Sequence, residues 1–232
     1  MHLLLTLRNT FLIIGLAVSI TACKTTEEPI SNGYLENYQQ LENITNEDGV
    51  TQQRWTSRKL TRKVNPLKPT SFYIKPIVYY PQLPDDAQIS KQVSRELADY
   101  LHSEMKRTAA KHFMVTNTIE DGTFVVEPAI TSMRISLETL SPLEVIPFRA
   151  VLSSINYAMG GRDRDVEMRL ETKVIAADQQ ELVATTVHRG QGIQLENDQE
   201  QLTQAHVKQL IDAWVASWDA NLAAYKQQLS RQ

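Results

Sequence analysis

Cysteine is nearly absent from this chain: Cys23 is the only one among 232 residues. A lone thiol makes no disulfide within the chain, so whatever fold forms must stand on its core alone. Long apolar runs are missing too. The longest, Phe11 to Val18, falls far short of the roughly 20 residues a bilayer-spanning helix needs. Neither charge sign dominates, with 24 Lys and Arg against 27 Asp and Glu and a formal net charge of -3. No basic surplus points to a nucleic-acid partner. The 42% hydrophobic and 22% charged content is that of a globular domain and excludes disorder of the whole chain.

What is present begins with the context of that cysteine. Arg8 supplies a positive charge, the short apolar core follows, and the run closes on Ile20-Thr21-Ala22-Cys23. A short apolar core ending in small residues is a processed signal and not an anchor helix. Ile-Thr-Ala-Cys resembles a bacterial lipobox, which implies cleavage between Ala22 and Cys23, a diacylglyceryl thioether on the thiol and acylation of the new amine. The plainer alternative is an ordinary cleavable signal with a cysteine at its cut. Two long acyl chains suffice for stable membrane attachment. In the enteric lipoproteins that Ile-Thr-Ala-Cys resembles, an aspartate after the cysteine retains the protein at the inner membrane. Lys24 in that place implies outer-membrane sorting, with the body facing the periplasm. Without residues 1–22 the chain carries 23 basic and 27 acidic side chains, a net -4.

The organisation expected is a signal over 1–22, a lipidated cysteine and flexible tether over 23–33, and one domain over 34–232. Tyr34, Leu35, Tyr38 and Leu41 recur at helical spacing and predict a small helix packed on that domain. Glu42 to Gln53 reads as polar loop. The basic stretch Arg58, Lys59, Arg62 and Lys63 reads as a solvated loop or edge strand, with a patch for anionic lipid or glycan as the alternative. Ser71 to Tyr80 is rich in aromatic and branched residues and predicts a strand with Pro76 at an edge or bulge. Ile89, Val93, Leu97, Leu101 and Met105 fall every four positions and predict an amphipathic helix ending near His112. Phe113–Thr118 and Thr123–Leu137 flank Asp121-Gly122 and predict a hairpin, Pro128 again marking an edge or bulge.

Phe148 to Ala158 predicts a short helix stopped by Gly160-Gly161. Asp165 to Ala177 alternates Val166, Met168, Leu170, Thr172, Val174 and Ala176 with Glu167, Arg169, Glu171 and Lys173, a one-faced strand. Glu181 to Arg189 is its partner across a turn, and a long helix from about Asp198 to Leu229 closes the chain. The fold class expected is α+β: an antiparallel sheet of about five strands packed by two long helices and one or two short ones.

No catalytic constellation emerges. The four histidines after the signal, His102, His112, His188 and His206, lie at no metal-ligand spacing. Ser153-Ser154 with His188 lacks a nucleophile elbow, and Gly190-Gln191-Gly192 reads as a strand terminus in place of a phosphate loop. No enzyme activity, metal or cofactor is expected. Two candidates for binding remain. Arg162-Asp163-Arg164-Asp165 is either a self-paired turn or a partner contact through ion pairs. Trp214 and Trp218, one helical turn apart with Ile211 and Leu222, are either core or a ligand box or groove.

The lipobox, Gly33-Tyr34-Leu35-Glu36-Asn37-Tyr38 with Leu41, Val125-Val126-Glu127-Pro128-Ala129-Ile130-Thr131, Gly160 to Asp165, and Glu171 together resemble the DUF3313 lipoproteins of Gram-negative bacteria. That likeness covers nearly all of the chain after the signal and implies an address and a fold unit, with no catalytic residues to carry over. The element order is also similar, in topology alone, to the small α+β domains of the curli secretion lipoprotein and of the activators of peptidoglycan synthases. The function expected is a non-catalytic, membrane-anchored lipoprotein, accessory or scaffold to an envelope protein partner. A carrier or sensor for a small apolar or glycan ligand is the alternative.

Overall fold

The computed structural model describes residues 32–45, 51–82, 86–137 and 163–231. Ala22, Cys23, most of the expected tether, Arg162 and the helix expected over 148–158 lie outside them. A single sheet of seven strands organises the rest. Its strands are β1 (Glu42–Thr45), β2 (Thr51–Thr56), β3 (Ser71–Ile74), β4 (Val78–Tyr79), β5 (Thr123–Leu137), β6 (Arg164–Ala176) and β7 (Glu181–Gln191). The spatial order is β1-β2-β7-β6-β5-β3, with β4 also paired to β5. Three helices accompany them, the one-turn α1 (Arg58–Thr61), α2 (Lys91–Ala109) and α3 (Gln204–Ser230).

The class is α+β as expected, but the sheet is mixed and larger than five antiparallel strands. Both β3 and β4 run parallel to β5. The cause is α2, which carries the chain from one end of the sheet back to the other, so the strand that follows it starts in the same direction as those before it. The hairpin expected between Phe113–Thr118 and Thr123–Leu137 does not form. Leaving α2, the chain runs beside β3 instead: Phe72 N–H donates to Met114 O (2.8 Å) and Thr116 N–H to Phe72 O (2.9 Å). Gly122 does take the positive φ (78°) anticipated for the turn. That turn delivers β5 to the other side of β3. The expected loop at Glu42–Gln53 is instead largely the β1–β2 hairpin, with Glu42 opposite Arg54 and Asn43 opposite Gln53. An edge hairpin needs no apolar face, and its polar sequence hid it.

Pro76 and Pro128 explain why β3 and β4 are separate strands. Val126 O accepts from Lys75 N–H (2.9 Å) and Ile130 O from Tyr80 N–H (3.0 Å), so even-numbered β5 residues turn their backbone groups to this side. Pro128, lacking an N–H, therefore faces the gap where Pro76 interrupts the neighbouring strand. Pro76 does fall at the sheet edge, as expected, whereas Pro128, expected at an edge or bulge, lies in register with Thr172 inside the interior strand β5, whose irregularity comes later, between Ile130 and Ser132.

One sheet face carries the core. Val126, Ile130, Val166, Met168, Leu170 and Val174 point to this face and pack with Leu97, Leu101 and Met105 of α2 and Val207, Ile211 and Trp214 of α3. The periodic stripes of both helices meet the alternating stripe of the strands there, and burying one such side chain contributes about 1.5–3 kcal/mol. Ser90 Oγ caps α2 by accepting from Val93 N–H (3.1 Å). The last helix begins at Gln204, six residues beyond the expected Asp198, and Thr203 N–H donates to His206 Nδ1 (3.0 Å) at its start.

Gly190-Gln191-Gly192 does end a strand, and the end is pressed on α3. A Cβ added at Gly192 would lie 2.5 Å from His206 O, a helix-backbone atom, whereas one at Gly190 would meet the end of the Leu210 side chain. A side chain can rotate away and a helix carbonyl cannot. Gly192→Ala should cost about 1–3 kcal/mol, and Gly190→Ala less. Urea denaturation of the two variants checks this, and equal midpoints would refute it.

Candidate functional site

The opposite face of the sheet is polar by sequence, because Arg169, Glu171 and Lys173 of β6 alternate with its core residues. It is covered by the first described segment of the chain. Residues 32–41 lie across it as a strap, with one 3-10 turn at Tyr38–Gln40 in place of a longer helix. Leu35 and Tyr38 are buried against Val187 of β7, with Tyr34 and Leu41 packed around them. The expected apolar spacing in this segment therefore does mark a face that packs on the domain. Asn32, within the span read as tether, is already docked.

Beneath the strap lies Glu171, whose residue is 0% exposed. A buried carboxylate must be met by donors, because leaving it unpaired costs several kcal/mol. It is met by four residues. Asn32 Nδ2 and Thr131 Oγ1 donate to Oε1 (3.1 and 3.0 Å), and the Tyr38 hydroxyl donates to Oε2 (2.6 Å). Arg169 Nη1 stands 3.7 Å from Oε1. Each donor is itself positioned: Leu35 N–H donates to the Tyr38 hydroxyl (3.2 Å), Tyr34 N–H to Asn32 Oδ1 (3.0 Å), and Thr131 is on β5, the strand next to β6.

The electrostatics follow from burial. Loss of water pushes the Tyr38 phenol up to about 12, and the hydrogen bond to Glu171 adds to the rise. Burial also lowers the Arg169 guanidinium from its usual range, and Arg189, its direct cross-strand partner, lowers it further. One turn away, the Tyr34 phenol is raised by burial and by Glu127 and donates to Glu127 O (3.0 Å), while Lys173 Nζ sits 4.4 Å from the Tyr34 ring centre. Lys75 Nζ pairs with Glu127 at 2.6 Å. Lone pairs of Glu171 are thus spent on the chain's own donors, and both oxygens face strap or sheet. The arrangement fastens a segment and presents no nucleophile or open acid to a substrate.

The residues singled out from sequence lie elsewhere. Arg164 opens β6, exchanges backbone hydrogen bonds with Leu195 (2.9 and 3.0 Å), and lies 3.9 Å from Asp198. Asp165 accepts from Gln194 Nε2 (2.7 Å), and Asp163 immediately precedes the strand. Arg164 and Asp165 are thus engaged by the segment leading into α3. Trp214 is 2% exposed in the core beside the His188 ring (centroids 6.0 Å apart), and Trp218 meets Phe72 edge-on at 6.4 Å. Among the other histidines, His112 Nε2 bonds Asp219 (2.5 Å), His102 Nε2 lies 3.1 Å from Ile74 O, and His206 pairs with Glu200 (3.2 Å).

Sequence reasoning left Glu171 on the charged strand face and gave it no role. The signal that marks it is the family resemblance: Tyr34, Tyr38, Glu127, Thr131 and Glu171, scattered over the quoted motifs, meet in this one place.

A family model described as "Protein of unknown function (DUF3313)" matches residues 31–217. Its first matched residue adjoins Asn32, where the strap begins. The chain is 29% identical over 197 residues to the "Uncharacterized lipoprotein YdcL" of Escherichia coli K12, covering 85% of this chain and 87% of that protein. Among solved structures it is similar to the hypothetical protein CT253 of Chlamydia trachomatis, at 9% identity and a TM-score of 0.42, covering 67% of this chain and 99% of that one. It is also similar to lipoprotein GNA1162 of Neisseria meningitidis, at 9% identity and a TM-score of 0.35, covering 64% of this chain and 97% of that one. The chain belongs to the DUF3313 family.

Proposed function

We propose that this DUF3313 chain is a non-catalytic lipoprotein, fixed to the outer membrane through Cys23 and serving as accessory or scaffold to a protein complex of the cell envelope. The observation that carries the reading is the strap. From Asn32 onward the segment downstream of the proposed anchor is tied to a buried carboxylate in the middle of the sheet and is one body with the domain. A scaffold needs that connection, since a domain held in one thin compartment meets its partners at raised effective concentration. The curated relative carries the name of a lipoprotein. No helix among the described residues is long and apolar enough to cross a membrane, and two acyl chains on Cys23 would suffice for attachment.

Fractionation and affinity capture test the reading together. Cys23→Ala should move the protein from the outer-membrane fraction to the soluble periplasm, because no acyl chain is added without the thiol. Crosslinking in the native envelope should recover a protein partner with the lipidated form and lose it with Cys23→Ala. Unchanged membrane association of Cys23→Ala would refute the anchor, and capture of no protein by either form would refute the scaffold role.

A further inference from the structure

Exposed apolar side chains on the described surface are few, and they are unevenly placed. Six large ones stand out, Val64, Val78, Tyr80, Met114, Ile119 and Ile193. Val78 and Tyr80, 49% and 40% exposed, are two residues apart on and just after β4, so they project to the same side of the sheet. That side is the strap side, because Val78 is in register with Ala129, and the Tyr80 ring packs at a 56° tilt against Tyr34 with ring centres 5.3 Å apart. The Tyr80 hydroxyl reaches Gly33 O at 3.5 Å. Pro76 and Pro81, both exposed, extend the row at either end. The result is a ridge of Pro76, Val78, Tyr80 and Pro81 along the sheet edge, beside the point where the anchor-bearing segment enters the domain.

We infer that this ridge is a membrane-contact surface, seated in the interfacial layer of the bilayer that carries the lipidated Cys23. The inference rests on the anchor reading above. Two features select lipid over protein as the occupant. Eight residues lie between Cys23 and Asn32, nine backbone steps with a reach of at most about 30 Å, so the strap entry and everything beside it stay near the bilayer. Prolines at both ends of the ridge deny an incoming strand the N–H groups that edge-to-edge pairing uses, which disfavours a second copy or a strand-adding partner. Lipid asks for no such directionality. Tyrosine beside small apolar residues is the composition that settles at the headgroup boundary, the phenol meeting water and the ring meeting acyl chains.

A spin label tests the contact on the full lipidated chain. Because Cys23 is the only native cysteine and its thiol is acylated, Val78→Cys offers one free thiol, and Ser103→Cys, on exposed α2, serves as the control. In vesicles of phosphatidylethanolamine with phosphatidylglycerol, collision of the label with lipid-soluble oxygen is compared with collision with a water-soluble nickel chelate. The oxygen-to-nickel ratio at residue 78 should exceed that at 103 severalfold, and adding Tyr80→Asp should bring it down toward the control. A ratio equal to the control, or a label shielded from both reagents as in a protein contact, would overturn the proposal while the anchor reading stands. The mass of the peptide bearing residue 23, taken from the same sample, separates the two readings: an unmodified thiol would sink the anchor and the membrane contact with it.

Discussion

Glu171→Ala should cost about 3–5 kcal/mol, the largest effect of any single side chain described here and much of the 5–15 kcal/mol by which a domain is typically stable. The reason is asymmetry. Alanine removes the acceptor of the Asn32 amide, the Thr131 hydroxyl and the Tyr38 hydroxyl together, and takes away the carboxylate 3.7 Å from Arg169. The buried Thr131 hydroxyl cannot turn to water while the strap stays down, and the Asn32 amide and Tyr38 hydroxyl retain only their contacts with Thr131 O and with each other, so much of their desolvation is left uncompensated. Glu171→Gln keeps the shape and one acceptor oxygen but sets an amide N–H where a donor now points, and should cost about 1–3 kcal/mol. Tyr38→Phe, which removes one donor and leaves the carboxylate its others, should cost less than Glu171→Ala. Urea denaturation orders the three. Protease cleavage within residues 32–41 should begin in Glu171→Ala under conditions that leave the parent intact, because release of the strap relieves the unpaired groups before the sheet opens. A loss below about 1 kcal/mol for the alanine variant would mean that the carboxylate does not hold the strap.

That site was the least legible part of the sequence, and the cause is physical. Helix and strand periodicities report which face of an element is apolar, so α2, α3 and the β6–β7 pair could be placed from spacing alone. The same reasoning could do no more than group Glu171 with Glu167, Arg169 and Lys173 on the charged face of β6. What covers it comes from 133 residues away in the chain, and no local pattern encodes that distance. Parallel pairing escaped for a related reason. The Asp121-Gly122 turn was correctly read as tight, yet which strand it places β5 beside depends on where α2 has delivered the chain. Trp214 and Trp218 were legible as a stripe, and they pack as one. Prolines 76 and 128 were readable one at a time as interruptions, while their meeting across one gap between strands is a tertiary fact.

His188 should make the protein lose stability in mild acid, by up to about 3 kcal/mol between pH 6.5 and 4. Its ring is 5% exposed between β7 and α3, and neither ring nitrogen has a hydrogen-bond partner. Burial alone pushes the imidazole down to about 4. The residues facing it offer no carboxylate to hold a proton: Trp214 from α3, Leu170 and Gln52 across the two neighbouring strands, and Thr186 and Gly190 along its own. The charged side chain on that face, Arg54, is bonded to Asn221 (2.8 Å) and would repel an imidazolium. The folded chain therefore keeps the ring neutral where the unfolded chain, with an ordinary histidine near 6.5, takes up a proton. More protons on the unfolded state means that stability rises with pH through this window, is complete above 6.5, and is lost as pH falls toward 4. His188→Leu, similar in size and with nothing to protonate, should match the parent at pH 7 and exceed it by about 2–3 kcal/mol at pH 4.5, since replacing an unpaired buried polar group by an apolar one leaves no donor or acceptor stranded. Denaturation midpoints at the two pH values decide it, and carboxylates that titrate near pH 4 affect both proteins alike. Parallel acid limbs for parent and variant would show that the ring is protonated or hydrated in the folded state, and the hold of α3 on the sheet would then have to be independent of the charge on His188.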